Sequence, residues 1–232
     1  MNVRQLLAGI IFILFAACAG QNPVGEPTIK VEQVKPSGFL KDYSLLKKGG
    51  EGRMNLVYVN PEMNFADYHK IMVDPVTIWF SPESNLSKIS PKERQELANE
   101  LHDVIVKEFK KNFEIVHSPQ TGAMRFRVAL VDAKESNPTL DTISTYIPQA
   151  RLLQAAATIG AETAAFVGEA TAEAEARDSI TGELLGAVVD RRAGTKALSD
   201  STFDSWGDVR RIFQKWVEQV KNDILKRQNK TG

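Results

Sequence analysis

Few residues of this 232-residue chain are equipped for chemistry, and they are best read first. It has three histidines: His69 in "ADYHK", His102 in "ELHDV" and His117 at the end of "FEIVH". None has a second histidine at metal-ligand spacing, and neither H-E-x-x-H nor C-x-x-C occurs. His102 falls beside the apolar stripe of a helix, next to Asp103, which is the setting of a solvated helix histidine. No serine sits in a G-x-S-x-G elbow, and there is no G-x-G-x-x-G or Walker loop. "KKGGEGR" (47–53) could cradle an anion through backbone N–H groups but reads as a glycine turn. No catalytic residue, metal site or dissociable cofactor is expected.

Two charged stretches remain. Glu169, Glu173 and Glu175 alternate with small residues, so they share one face of a strand. Paired carboxylates can exchange protons or hold calcium; at this spacing they read as a solvated face with Arg177 within pairing reach. "VVDRRAG" places Asp190, Arg191 and Arg192 at the end of an apolar strand. A structural ion pair is the first reading there and the rim of a partner site the second. Asp190, Arg191, Arg192, Glu173 and Asp178 are therefore the candidate partner-binding residues.

The only cysteine is Cys18, in "LFAACAG". Arg4 and the amino terminus precede an apolar run, Leu6–Ala17, which is short of the ~20 residues that a spanning helix needs. It has the form of a secretory signal segment. "FAAC" resembles the bacterial lipobox, in which the cysteine becomes the first mature residue and carries a diacylglycerol and a further acyl chain. Several acyl chains anchor stably where one does not. Ala19 stands where an Asp would resemble an inner-membrane retention signal, so the expected location is the outer membrane, facing the periplasm. Removing residues 1–17 leaves 28 Lys+Arg against 29 Asp+Glu, a net charge of −1, because Arg4 is the only charge removed. That balance excludes the basic footprint of a nucleic-acid binder.

The remaining segments have to build the domain. Residues 18–37 are Pro- and Gly-rich and read as a lipidated tether, 38–228 as one folded domain and 229–232 as a disordered tail. "SGFLKDYSLLKKGGEG" reads as a short helix or turn, and Asn55–Val59 as a short strand. "KIMVDPVTIWF" (70–80) reads as a strand, at an edge or bulged because Pro75 cannot donate to a ladder. Ser90, Pro91 and Glu93 open a helix with a capping box, and Leu97, Leu101, Ile105 and Phe109 form its stripe. Phe113–His117 and the alternating run from Met124 are strands, the latter with one wet face at Arg125, Arg127 and Ala129. "QARLLQAAATI" (149–159) reads as a helix.

"VGEATAEAEARDSITGELLGAVVDRR" reads as a long hairpin, with a face of Ala and Gly that lets a helix approach closely. A last helix is expected from Ser205, with Asp208 in a capping place and an apolar stripe through Trp206, Phe213 and Trp216. The fold class is α/β (α+β): one two-layer domain, a mixed, mainly antiparallel sheet with a long hairpin and two long helices on one face.

"YHKIMVDPVTIWF", the helix ending at Phe113, "EAEARDSITGE" (Glu173–Glu183) and the Trp206–Trp216 helix resemble the bacterial lipoproteins of domain-of-unknown-function family 3313. The likeness runs from about Ser37 to Leu225. It implies an envelope lipoprotein and assigns no activity and no functional residues. The expected partners are the membrane, through the lipid, and another envelope protein. The alternatives are an envelope hydrolase built on His102 or the Asp190–Arg192 cluster, and a small-ligand or lipid carrier. A carrier needs an apolar cavity between sheet and helices.

Overall fold

Strict alternation of small and charged residues decides the centre of the sheet. The computed structural model describes residues 28–30, 34–50, 52–136, 167–194 and 204–231. Within them the strands are β1 (Thr28–Lys30), β2 (Lys47–Lys48), β3 (Leu56–Val59), β4 (Lys70–Val73), β5 (Thr77–Ile78), β6 (Glu114–Val116), β7 (Ala123–Lys134), β8 (Glu169–Asp178) and β9 (Leu184–Gly194). Two α-helices, α1 (Pro91–Phe109) and α2 (Gly207–Thr231), pack on each other and on one face of the sheet. The helix expected at 149–159 lies outside the described residues, as does Cys18.

The sheet runs β2-β3-β9-β8-β7-β4-β6, with β1 also on β9 and β5 also on β7. β7, β8 and β9 are antiparallel neighbours, while β4 is parallel to both β7 and β6. Parallel neighbours need a crossover, and α1 is the crossover from the β4–β5 segment to β6. The fold is thus the mixed α/β domain that the pattern of the sequence indicates, with the long hairpin β8–β9 at its centre.

Val128, Ala174 and Val188 lie abreast across β7, β8 and β9 and face the helices. Leu97, Leu101, Ile105 and Phe109 of α1 close over them, with Ile212, Phe213, Val217 and Ile224 of α2. The capping box at Ser90 and Glu93 forms as its spacing dictates, with Pro91 opening the helix.

Several details differ from the sequence-based expectation. Pro75 neither edges nor bulges one strand. The run 70–80 breaks there into β4 and β5, both parallel to β7, after Asp74 donates its N–H to the Phe126 carbonyl at 3.0 Å. Of the short helix or turn read in 37–52, the turn is what forms, at residues 43–46, closed by the Leu46 N–H on the Tyr43 carbonyl at 3.1 Å. β1 falls inside the stretch read as tether, so part of 18–37 belongs to the sheet. The helix α2 begins at Gly207, and it continues to Thr231, so that residues 229–231 of the expected tail are helical.

The wet face expected on β7 holds at Arg125, which is exposed, and in part at half-buried Arg127, but not at Ala129. Residues 34–46 lie across that face as a strap, with Phe39 and Leu40 packed on Ala129, Ala187 and Val189. Ala129 is fully buried.

The close approach expected at the Ala/Gly face occurs at one end only. Asp208, on the first turn of α2, accepts the Gly168 N–H at 2.7 Å and pairs with Arg211. It does not cap its own helix; Asp204 takes the Trp206 N–H at 3.1 Å. A Cβ on Gly168 would stand 2.8 Å from the Asp208 Cβ, and one on Gly194 would overlap the Asp208 carboxylate. Gly194→Ala is therefore expected to push Asp208 off the Gly168 N–H. Urea unfolding should show a loss of about 1–3 kcal/mol.

Candidate functional site

The candidate residues of β9 point alternately to the two faces of the sheet, as the pleat requires. Asp190 and Arg192 face the helices. Asp190 is 2% exposed and its carboxylate is saturated. One oxygen accepts the Asn55 N–H at 2.6 Å; the other accepts Arg192 Nε at 2.7 Å and the Trp216 indole N–H at 2.8 Å. Arg192 also donates to Gln219 at 2.6 Å. The group ties β9, the start of β3 and the middle of α2 together, and here the structural ion pair is the arrangement observed.

Arg191 faces the other way and donates to Glu169 at 2.6 Å, with Lys134 3.7 Å from the same carboxylate. Glu173 and Glu175 share that face. The solvated-face reading of these acids fails, because Glu169, Glu173 and Glu175 are all buried, Glu173 beneath the strap. Glu173 is fully buried; it accepts the Ser37 N–H at 2.6 Å and the Tyr43 hydroxyl at 2.5 Å. The Tyr43 oxygen in turn accepts the N–H groups of Gly38 at 2.8 Å and Leu40 at 3.2 Å. Burial raises the Tyr43 pKa, and the hydrogen bond to Glu173 raises it further. Glu175 is held between Arg127 and Arg177, and Arg127 also lies 5.1 Å over the Phe39 ring. Burial pushes the Glu175 carboxyl up, but the Arg177 and Arg127 charges outweigh it and hold the pKa below its ordinary value.

Asp178 serves the hairpin turn. It accepts the N–H groups of Ile180 at 2.9 Å and Thr181 at 2.7 Å, and the Tyr68 hydroxyl at 3.0 Å. Burial opposes its ionisation, and these donors overcome that and lower its pKa. The five candidate residues are thus divided between two faces and a turn and do not converge on one surface.

The histidines are scattered too. His69 and His117 are exposed, and His102 is half-buried on α1 with Asp103 at 3.7 Å. Among the described residues, no three His, Cys, Asp or Glu side chains stand close enough to hold a metal ion. No described helix is long and apolar enough to cross a membrane.

A feature with no marker in any motif lies beside the Asp190 group. Between the sheet and the two helices is a cavity of about 140 Å³. Its floor is Ala172, Ala174, Ala176 and Gly186; its walls include Ile105, Val220, Met54 and Met124. The Trp216 ring lines it while the indole N–H is spent on Asp190. It reaches the surface at Arg53 and Asp223, which pair across 3.0 Å. Bulkier side chains in place of the alanines would remove it.

Set against known proteins, the family described as "Protein of unknown function (DUF3313)" matches residues 35–220, and the chain belongs to it. No curated protein matches. Among solved structures the chain is similar to the PelC dodecamer from Paraburkholderia phytofirmans, at 10% identity over 71% of this chain and 94% of that one, TM-score 0.38. It is also similar to a DUF4136 family protein from Bacteroides thetaiotaomicron, at 8% identity over 71% and 94%, TM-score 0.32. A third is a neuraminyllactose-binding hemagglutinin homolog from Helicobacter pylori, at 12% identity over 72% and 88%, TM-score 0.32. Likenesses at these scores say nothing of function.

The two acids of the strap face give distinct expectations. Tyr43→Phe leaves a buried Glu173 oxygen short of a donor. It should cost about 1–3 kcal/mol and speed amide exchange in residues 34–46 before it does so elsewhere. Glu175 has a lowered folded pKa, so its stabilisation is complete above the ordinary value of 4.5 and is lost as pH falls through the lower folded value. Glu175→Gln should therefore lower unfolding free energy by about 2 kcal/mol at pH 7. The gap to wild type should close in acid, as read by urea titration across pH.

Proposed function

We propose that this member of the DUF3313 family is an outer-membrane lipoprotein whose domain faces the periplasm and binds another envelope component without catalysing a reaction. The observation that carries this reading is Cys18, the one cysteine of the chain, placed after small residues at the end of the apolar run Leu6–Ala17. Acylation there turns the thiol into a thioether, so the thiol is consumed as an anchor.

The geometry of the domain supports the non-catalytic part. The buried carboxylates of the sheet are engaged: Asp190 with Arg192, Glu175 with Arg127 and Arg177, Glu169 with Arg191, and Glu173 with the Ser37 N–H and the Tyr43 hydroxyl. His102 meets Asp103 on its own helix, while the partners of Asp190 are Asn55, Arg192 and Trp216. A hydrolase would need these groups to converge on one substrate.

The pairing of β1 also bears on reach. Nine residues separate Cys18 from Thr28, and so short a segment spans at most about 30 Å. The domain itself is then held close to the membrane that carries the anchor.

Cys18→Ser should abolish labelling by radioactive fatty acid and leave unprocessed precursor in whole cells; normal processing of that variant would show an ordinary signal segment. For the binding role, crosslinking in living cells should give a defined higher-mass adduct with the acylated chain. Recovery of monomer alone would count against it.

A further inference from the structure

We propose that the cavity above the β8 alanines is a binding site for the end of a hydrocarbon chain, with the polar head of the amphiphile left at the rim. The inference rests on the cavity alone and holds whether or not Cys18 is acylated.

Four observations lead to it. The space is not a packing defect at one residue, since Ala172, Ala174, Ala176 and Gly186 together make a smooth floor across two strands. The same pattern of small residues lets α2 touch the sheet at Gly168 and Gly194, so the gap opens only toward the other end of the helix. Away from the rim the wall is aliphatic and aromatic. The acidic residues of the interior lining are engaged, Asp190 by three donors and the Glu173 carboxylate by Ser37 and Tyr43, so water finds little to bind and the space suits an apolar guest. Met54 and Met124 stand in the wall, and unbranched thioether side chains adapt to a guest of variable shape.

Size and polarity then choose the ligand. A cavity of about 140 Å³ takes about six carbon atoms, as judged from the similar apolar cavity that holds benzene. It opens where Arg53 and Asp223 meet solvent, 44% and 31% exposed. An apolar interior with an ionic rim fits a chain that enters tail first. A molecule polar along its length would lose its hydration against this wall.

The probe is a series of sodium n-alkanoates from butanoate to decanoate, kept below micelle formation and titrated into the full chain. Methyl resonances of Met54 and Met124 report occupancy. The expected result is saturable binding of one alkanoate per chain, with affinity rising about fourfold for each methylene added and levelling off beyond about eight carbons. Ala174→Leu fills the floor and should weaken octanoate at least tenfold without lowering the thermal midpoint.

Methyl shifts that do not saturate, or an affinity indifferent to chain length, would overturn the proposal. So would Ala174→Leu binding octanoate as wild type does. Should that variant not fold, the methyl titration of the unmodified chain decides alone. Mass spectrometry of the organic extract of protein isolated from cells separates the sources, free fatty acid or phospholipid. If the chain's own acyl group is the guest, Cys18→Ala will bind octanoate more tightly than the acylated protein does.

Discussion

One buried ion pair holds the layers in register. Asp190 accepts from Arg192, Trp216 and Asn55 at once, so a carboxylate at 2% exposure joins the central hairpin, an outer strand and the C-terminal helix. A lone buried charge would be intolerable, and a saturated one is tolerated only in the geometry that saturates it. The pairing β3–β9, the rotation of α2 about its axis and the seating of Trp216 all follow from that condition. Removing either charge would strand the other in the interior, so the pair acts more as a specifier of arrangement than as a source of net stability.

The same strand pattern has opposite outcomes at the two ends of the helix layer. Where Gly168 and Gly194 meet Asp208, absent side chains become backbone contact. Where Ala172, Ala174 and Ala176 face the far end of α2, they become empty space. Small residues fix how closely an element can approach; the rigid line of the helix and its anchor at Asp208 decide where it does.

Local features were legible in the sequence, and long-range ones were not. The capping box at Ser90 and Glu93 and the β8–β9 hairpin depend on neighbours within a few residues, and each left a signature. Pro75 shows the limit, since its missing N–H read as an edge or a bulge within one strand, whereas the strand breaks there and both halves rejoin β7. The burial of Glu173 had no signature at all, because Tyr43 lies 130 residues away and no spacing rule connects them. The alternation of β8 identified two faces correctly. It assigned water to the acidic one because nothing local announces the strap. Asp208 looked like a cap for a similar reason: its better donor, the Gly168 N–H, comes from another part of the chain. The cavity was visible only as a condition, three alanines in alternate places, and needed the course of α2 to become a volume.

The pairing of Thr28–Lys30 with the end of β9 gives the fold a mechanical character. β9 is bonded to β8 on one side and to β3 and β1 on the other, so it is held along both edges. Any tension applied at the amino-terminal end of the chain enters through β1. It is carried first by the short β1–β9 ladder and next by the strap, whose Ser37 and Tyr43 grip Glu173. The domain therefore has a graded release, in which the outer ladder and then the strap give way while the helix-covered layer keeps its shape.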